Sequence, residues 1–242
     1  MDQVREQGFA AMAPALFPYS VGNAPAAQVG ILLKLQGAAV TLCAKEAAGL
    51  AAVAEATGHL ETGACETCVA GGVDHLDPLL RKVLRPFRRG AGVPAGEGSY
   101  ALRLERREVA PESALARISA YIGCSVPCAP HRFPEGTGLL ERTLEDLLKR
   151  AGWSAGDVDI RALPEDTPAL REASAIAAAG HLPGARPLGF QRDLGACGAS
   201  WAGAAALASR ELASGRSRRA VLVALATGGC SWGLALEAVH AQ

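Results

Sequence analysis

Thiols are the residues that most invite a chemical reading in this chain. Cysteines stand at 43, 65, 68, 124, 128, 197 and 230. Cys65-x-x-Cys68 and Cys124-x-x-x-Cys128 together offer four thiolates, the donor set of a structural zinc site. Their setting argues against it. Cys65 and Cys68 fall on or beside an apolar run that reads as a buried strand, where an odd separation sends two side chains to opposite faces. Seven is an odd number, and most of these thiols sit among small or strand-forming residues, the setting of reduced core cysteines. The expectation is that no metal is bound. Cys43 and Glu46 form a second combination, a thiol and a carboxylate three residues apart just before a small-residue segment. They offer a nucleophile or a base. His131 lies in a proline-bearing loop and reads as a surface residue, and His181 follows a helix with no evident partner. Gly90-Ala91-Gly92 has the glycines of a phosphate loop, but no strand leads in and no helix leads out.

The elements that would position these residues fall into two similar stretches. Residues 37–74 read as a strand (38–44), a sharp turn at Lys45-Glu46, a helix (47–60) and a strand (65–70) that ends in Gly71-Gly72. The helix is almost entirely Ala, Gly, Leu and Val, so it packs closely on nearly all sides. Thr62-Gly63 stops it, and the glycine pair is expected to turn the chain away. Residues 195–229 repeat the plan: a small-residue helix (196–213), Ser214-Gly215, a strand (220–226) and Gly228-Gly229. Two copies are too few for a solenoid and point to two similar halves packed face to face.

Between them, 76–83 reads as a brief helix and 88–98 as a glycine-rich loop. Residues 100–105 and 114–123 read as strands of a hairpin joined near Pro111-Glu112. Residues 139–151 form an amphipathic helix ended by Gly152, 157–162 a strand, and 168–180 a helix capped by Thr167. Residues 230–237 close the second sheet. Near the start, 12–17 is apolar, 21–25 is a turn and 28–35 a short amphipathic helix.

Several of these residues in order resemble the β-ketoacyl synthases of the thiolase-like superfamily. Their nucleophile elbow runs strand, Thr-Ala-Cys-Ala-Ser, helix, Gly-Arg-Ala-Asp, strand, Ala-Gly-Gly. Here Ala44-Lys45-Glu46-Ala47-Ala48, Thr62-Gly63-Ala64 and Ala70-Gly71-Gly72 take those places without a gap. Phe17-Pro18-Tyr19, Asn23-Ala24-Pro25-Ala26, Arg85-Pro86-Phe87 and Gly96-Glu97-Gly98 also fit, and the likeness extends to Leu236-Glu237. It implies an α/β fold, layered αβαβα, with two pseudo-repeated halves: 1–110, a reduced half carrying the elbow, and 111–242. Family members normally begin with further strands and a helix. The resemblance therefore implies that the first half is shortened, with a reduced sheet or an edge covered by another chain.

The departures carry the functional reading. A condensing synthase needs a thiolate at the elbow and two histidines. Glu46 stands at the cysteine. Leu163, in Leu163-Pro164-Glu165-Asp166-Thr167-Pro168, stands at the first histidine, and Arg192, in Gln191-Arg192-Asp193-Leu194-Gly195-Ala196-Cys197-Gly198, at the second. Pro187 stands at the usual lysine. Thr227 replaces the phenylalanine gate before Gly228-Gly229, the pocket or oxyanion region. Leucine transfers no proton and arginine stays protonated. Moving the elbow to Cys43 would break the match on both sides.

The resemblance thus implies a non-catalytic subunit similar to chain-length factors of polyketide or fatty-acid-type systems. Such a subunit would pair with an active β-ketoacyl synthase and meet an acyl carrier protein. Glu46 would mimic a malonyl carboxylate, lie at the dimer seam or, most specifically, ion-pair with Arg192 in the vacant pocket. Two alternatives stay open. One is an acyl-thioester decarboxylase or hydrolase that uses Glu46 as a base raised by an apolar pocket. The other is a stand-alone acyl-binding protein.

Composition agrees with a large α/β domain. Half of the 242 residues are hydrophobic and 20% are charged. Lys+Arg and Asp+Glu balance at 24 each, which argues against a nucleic-acid partner. The runs 85–89 and 216–219 read as solvated arginines, with contact to an acidic carrier as the minor reading. No apolar run reaches membrane-spanning length and no basic-then-apolar leader opens the chain, so a cytoplasmic location is expected, and no cofactor.

Overall fold

The most apolar segments dictate the centre of the architecture, and the computed structural model describes residues 21–84, 92–109 and 112–239, with Glu6 and Gly8. The readings for 12–17, Phe17-Pro18-Tyr19, Arg85-Pro86-Phe87, Gly90-Ala91 and Pro111 lie outside the described residues. The chain divides into two units, Met1–Leu42 and Cys43–Gln242.

In the first unit, helix α1 (Ala24–Leu32) starts with Pro25 in its first turn, where a missing N–H costs nothing. It begins earlier than expected and is not amphipathic. Val29, Ile31, Leu32, Leu33 and Leu35 are all exposed.

The second unit opens with a 3-10 turn (Lys45–Ala47) that runs into α2 (Ala48–Glu61). Then follow β1 (Thr67–Asp74), α3 (Pro78–Leu84), β2 (Gly98–Glu105), β3 (Arg117–Ser125), α4 (Gly138–Ala151), β4 (Ile160–Ala162) and α5 (Pro168–His181). The unit ends with β5 (Arg186–Pro187), α6 (Phe190–Leu194), α7 (Ser200–Ala213), β6 (Arg219–Ala226) and β7 (Cys230–Glu237). Strands β1 and β2 pair antiparallel as one sheet, and the other five form a mixed sheet in the order β3-β7-β6-β4-β5. β4 runs parallel to both β5 and β6.

β6 shows why the layers form. Ala220, Leu222, Ala224 and Ala226 belong to one apolar core and Val221, Val223 and Leu225 to another, as period-2 alternation requires of a strand buried on both faces. The first core is built with α2 and α7, which pack on each other between the two sheets. The second lies under α4 and α5. The apolar stripe Leu139, Leu140, Leu144, Leu147 and Leu148 of α4 is buried, and Gly152 ends that helix at φ 69°. Thr167 caps α5 as expected by accepting from the Leu170 N–H at 3.2 Å.

α2 and α7 approach so closely that their first turns leave no room for side chains. The Gly49 N–H donates to the Gly198 carbonyl at 2.9 Å, and a Cβ on Gly49 would lie 2.7 Å from backbone atoms of Gly198 and Ala202.

Four expectations need correction. Residues 38–44 form no strand: strand-forming composition supplies no partner, and Val40 is half exposed. Gly71-Gly72 does not turn the chain but lies inside β1. There, a Cβ on Gly72 would meet the Ala199 Cα at 2.8 Å. β2 and β3 form no hairpin, since β2 pairs with β1 and β3 with β7. Alternation identifies a strand but not its neighbour. Finally, Cys65 precedes β1 and is not placed opposite Cys68, whose thiol interacts with it.

Candidate functional site

The approach to position 46 is made from the 3-10 turn at the mouth of α2 and the hairpin turn between β6 and β7. Lys45 has φ 52°, the left-handed region, which costs a non-glycine residue about 1–2 kcal/mol. This sharp turn places Glu46 against the turn between β6 and β7. Its carboxylate accepts the Thr227 backbone N–H at 2.9 Å and the Thr227 hydroxyl at 3.2 Å. The Lys45 ammonium donates to the carbonyl of the same residue, Thr227, at 3.0 Å, and also to the Pro130 carbonyl. Gly228 and Gly229 hold φ 92° and 86°, so here the glycine pair does make the turn. The Gly228 N–H donates to the Arg132 carbonyl and the Gly229 carbonyl accepts from Val126, which fixes the turn against the loop after β3. Chemically, a backbone N–H and a hydroxyl aimed at one point form a cradle for an oxyanion. In this chain the chain's own carboxylate fills it.

The ion pair expected between Glu46 and Arg192 is not formed. Arg192 is exposed on α6, and among the described residues no salt bridge joins it to Glu46. Charge complementarity could not foresee that Thr227 satisfies the carboxylate first.

Leu163 is buried in the second core at 7% exposure and lines a cleft of about 130 Å³ with Pro187, Phe190 and Gln191. Glu46, Arg192 and Thr227 do not line that cleft. The two segments standing at the histidine motifs are tied together instead. Gln191, 3% exposed, accepts the Glu165 N–H at 2.9 Å and donates to Asp166 at 3.1 Å. Sequence reasoning gave Gln191, Asp166 and Lys45 no role. Gln191 and Asp166 are 25 residues apart, so no local signal joins them, whereas Lys45 stands directly beside the elbow residue in the sequence.

The thiols form no reaction centre among the described residues, and no group of three or more His, Cys, Asp or Glu there could hold a metal. Cys197, just before α7, is pushed up by burial and by the nearby Asp74 charge, against hydrogen bonds from Ser200 and Ala199. Cys68 is raised by burial and by Cys65. Both shifts favour the thiol over the thiolate. Cys43 and Cys230 are exposed, so neither is the core thiol expected. His131 is exposed as expected. His181 does have a neighbour, with Nε2 3.8 Å from the Glu145 carboxylate across α4 and α5. The arginines at 216–219 are largely engaged: Arg216 meets Glu211 at 3.2 Å, and Arg219 meets Asp157 and Glu237 at 3.3 and 3.4 Å.

Residues 2–86 match the family described as beta-ketoacyl synthase, N-terminal domain. The whole chain superposes on solved structures of that kind. On the ishigamide ketosynthase/chain length factor it covers 99% of this chain and 71% of the other, with a TM-score of 0.86 at 19% identity. Its fold is that of the thiolase-like β-ketoacyl synthases. A Burkholderia phymatum β-ketoacyl synthase matches over 99% of this chain and 71% of its own, with a TM-score of 0.84 and 17% identity. A ketosynthase solved with its type II polyketide acyl-carrier protein matches over 98% and 70%, with a TM-score of 0.79 and 18% identity. Compared with curated proteins, the sequence matches none. No described helix is long and apolar enough to cross a membrane.

Proposed function

We propose that the protein is a non-catalytic ketosynthase-like subunit that pairs with an active β-ketoacyl synthase in a polyketide or fatty-acid-type system. The observation that carries this reading is the Glu46–Thr227 contact. A loaded elbow needs a nucleophile and a free N–H to receive the thioester oxygen. Here the elbow residue is a carboxylate, and one of its oxygens, Oε2, already accepts both Thr227 donors. Leucine and arginine at the histidine positions leave no proton shuttle.

Surface chemistry supports pairing with another chain. Apart from Ile176 and Val239, every exposed large apolar residue described lies between Val29 and Leu115. β1 has no charged residue before Asp74 and no proline, and its outward side chains Val69 and Val73 are 48% and 56% exposed. A long uncharged edge is a template for another chain unless it is covered. One of the similar structures bears the printed description ketosynthase/chain length factor and another contains an acyl-carrier protein. On this reading the partner is a cysteine-bearing synthase, with a carrier protein as the second contact.

Co-expression with such a synthase, followed by size-exclusion chromatography, tests the proposal. Co-elution at a stoichiometric ratio is expected. Separate elution of two folded proteins would favour a stand-alone acyl-binding protein.

A further inference from the structure

Lys45 has no part in the reading above, yet both its backbone and its side chain are constrained at the elbow. Its backbone is left-handed, and its ammonium is held on the carbonyls of Pro130 and Thr227. A Cβ placed on Gly228 would lie 3.3 Å from Nζ, so the charged head sits directly over that glycine. One side chain thereby bridges the mouth of α2, the loop after β3 and the turn before β7. Lysine loses much rotamer freedom when fixed in this way, and an exposed lysine ordinarily stays in water. The consequence is local: the side of Thr227 that Glu46 leaves open is covered by its neighbour in sequence.

We propose that Lys45 is a tethered plug that closes the approach to position 46 and excludes an acyl-thioester arm from the Thr227 turn. The proposal rests on the reading of position 46 as the elbow apex. Lys45 acts by exclusion and by holding the Thr227 peptide, so it is a positioning residue. A lysine beside an elbow has one other evident role, which is to lower the pKa of a neighbouring thiol and speed its reaction. The two roles predict effects of opposite sign.

The test places a thiol at the apex. Glu46→Cys is compared with Lys45→Gly/Glu46→Cys and Lys45→Ala/Glu46→Cys, the glycine variant being at ease with the positive φ. Iodoacetamide labelling at position 46 is followed by peptide mass, relative to labelling of Cys197 in the same sample. Acetyl transfer from a small acetyl thioester to position 46 is followed in parallel. Removing the lysine side chain is expected to raise the relative rate about tenfold, the factor that losing two hydrogen bonds of ordinary net strength allows. An equal or slower relative rate in both double variants overturns the plug, and general loosening of the fold, which would speed Cys197 as well, counts as that result. Decarboxylation or hydrolysis by the unaltered chain would overturn the partner reading and leave this rate ratio unchanged.

Discussion

The two helix–strand repeats, α2 with β1 and α7 with β6, follow one plan and reach different ends. α2 and α7 each have 14 residues, stop at a left-handed glycine (Gly63 at 72°, Gly215 at 75°) and lead into an eight-residue strand and a glycine pair. In the repeat of α7 and β6, Gly228-Gly229 takes positive φ and turns β6 directly into β7. In the first, Gly71-Gly72 stays extended within β1, where the absence of a Cβ admits the Ala199 backbone. The same dipeptide supplies backbone freedom in one place and close approach in the other. Burial differs as well. β6 is covered on both faces, while β1 buries Ala70 and leaves Val69 and Val73 out. The repeat of α7 and β6 is finished within the chain; the repeat of α2 and β1 presents a surface.

Three pairs of substitutions sharpen or break that comparison. Leu222→Ala, in the doubly covered strand, is expected to cost about 2–5 kcal/mol in urea unfolding. Val69→Thr on β1 should stay within about 0.5 kcal/mol. Comparable losses at both would mean that β1 is packed as β6 is. Next, Gly49→Ala should cost about 1–3 kcal/mol because backbone atoms of both helices must move. Gly58→Ala on the same helix meets only the Tyr121 hydroxyl at 3.3 Å and should be neutral or gain up to about 1 kcal/mol from helix propensity. Third, Glu46→Ala should cost about 1–3 kcal/mol by leaving the Thr227 donors unsatisfied, and Glu46→Gln much less. Thermal melting of the three proteins side by side distinguishes them.

The smallest effect concerns acid. Burial raises the Glu237 carboxyl, but hydrogen bonding and charge from Arg117 and then Arg219 outweigh it and hold the group below its usual range. A lowered folded pKa gives stability that is present above the unfolded value, about 4.3, and lost as pH falls through the lower folded value. Arg117→Gln should therefore destabilise at pH 7 and converge with the native chain in strong acid. Parallel curves at all pH values would contradict this.

What was legible in the sequence follows from range. α4 could be placed almost to the residue, because its apolar stripe and its glycine stop are local. β6 announced itself by an unbroken apolar run. The pairing of β2 with β1 rather than β3 was not legible, since alternation is the same whichever strand lies alongside. At the site, Glu46 stood out by its place at the mouth of a small-residue helix. Its partner did not, because Thr227 is 181 residues away and a neutral side chain gives no reason to expect it. Arg192 carried the charge that made a pair plausible, but the short α6 leaves it in solvent.

The central claim is that the elbow carries no reaction. Release of carbon dioxide from a malonyl-carrier thioester, compared for the native chain and Glu46→Ala, tests it most directly. Both should match the protein-free background, with no acyl adduct on either by intact mass. Turnover by the native chain that disappears on removing the Glu46 carboxylate would contradict it.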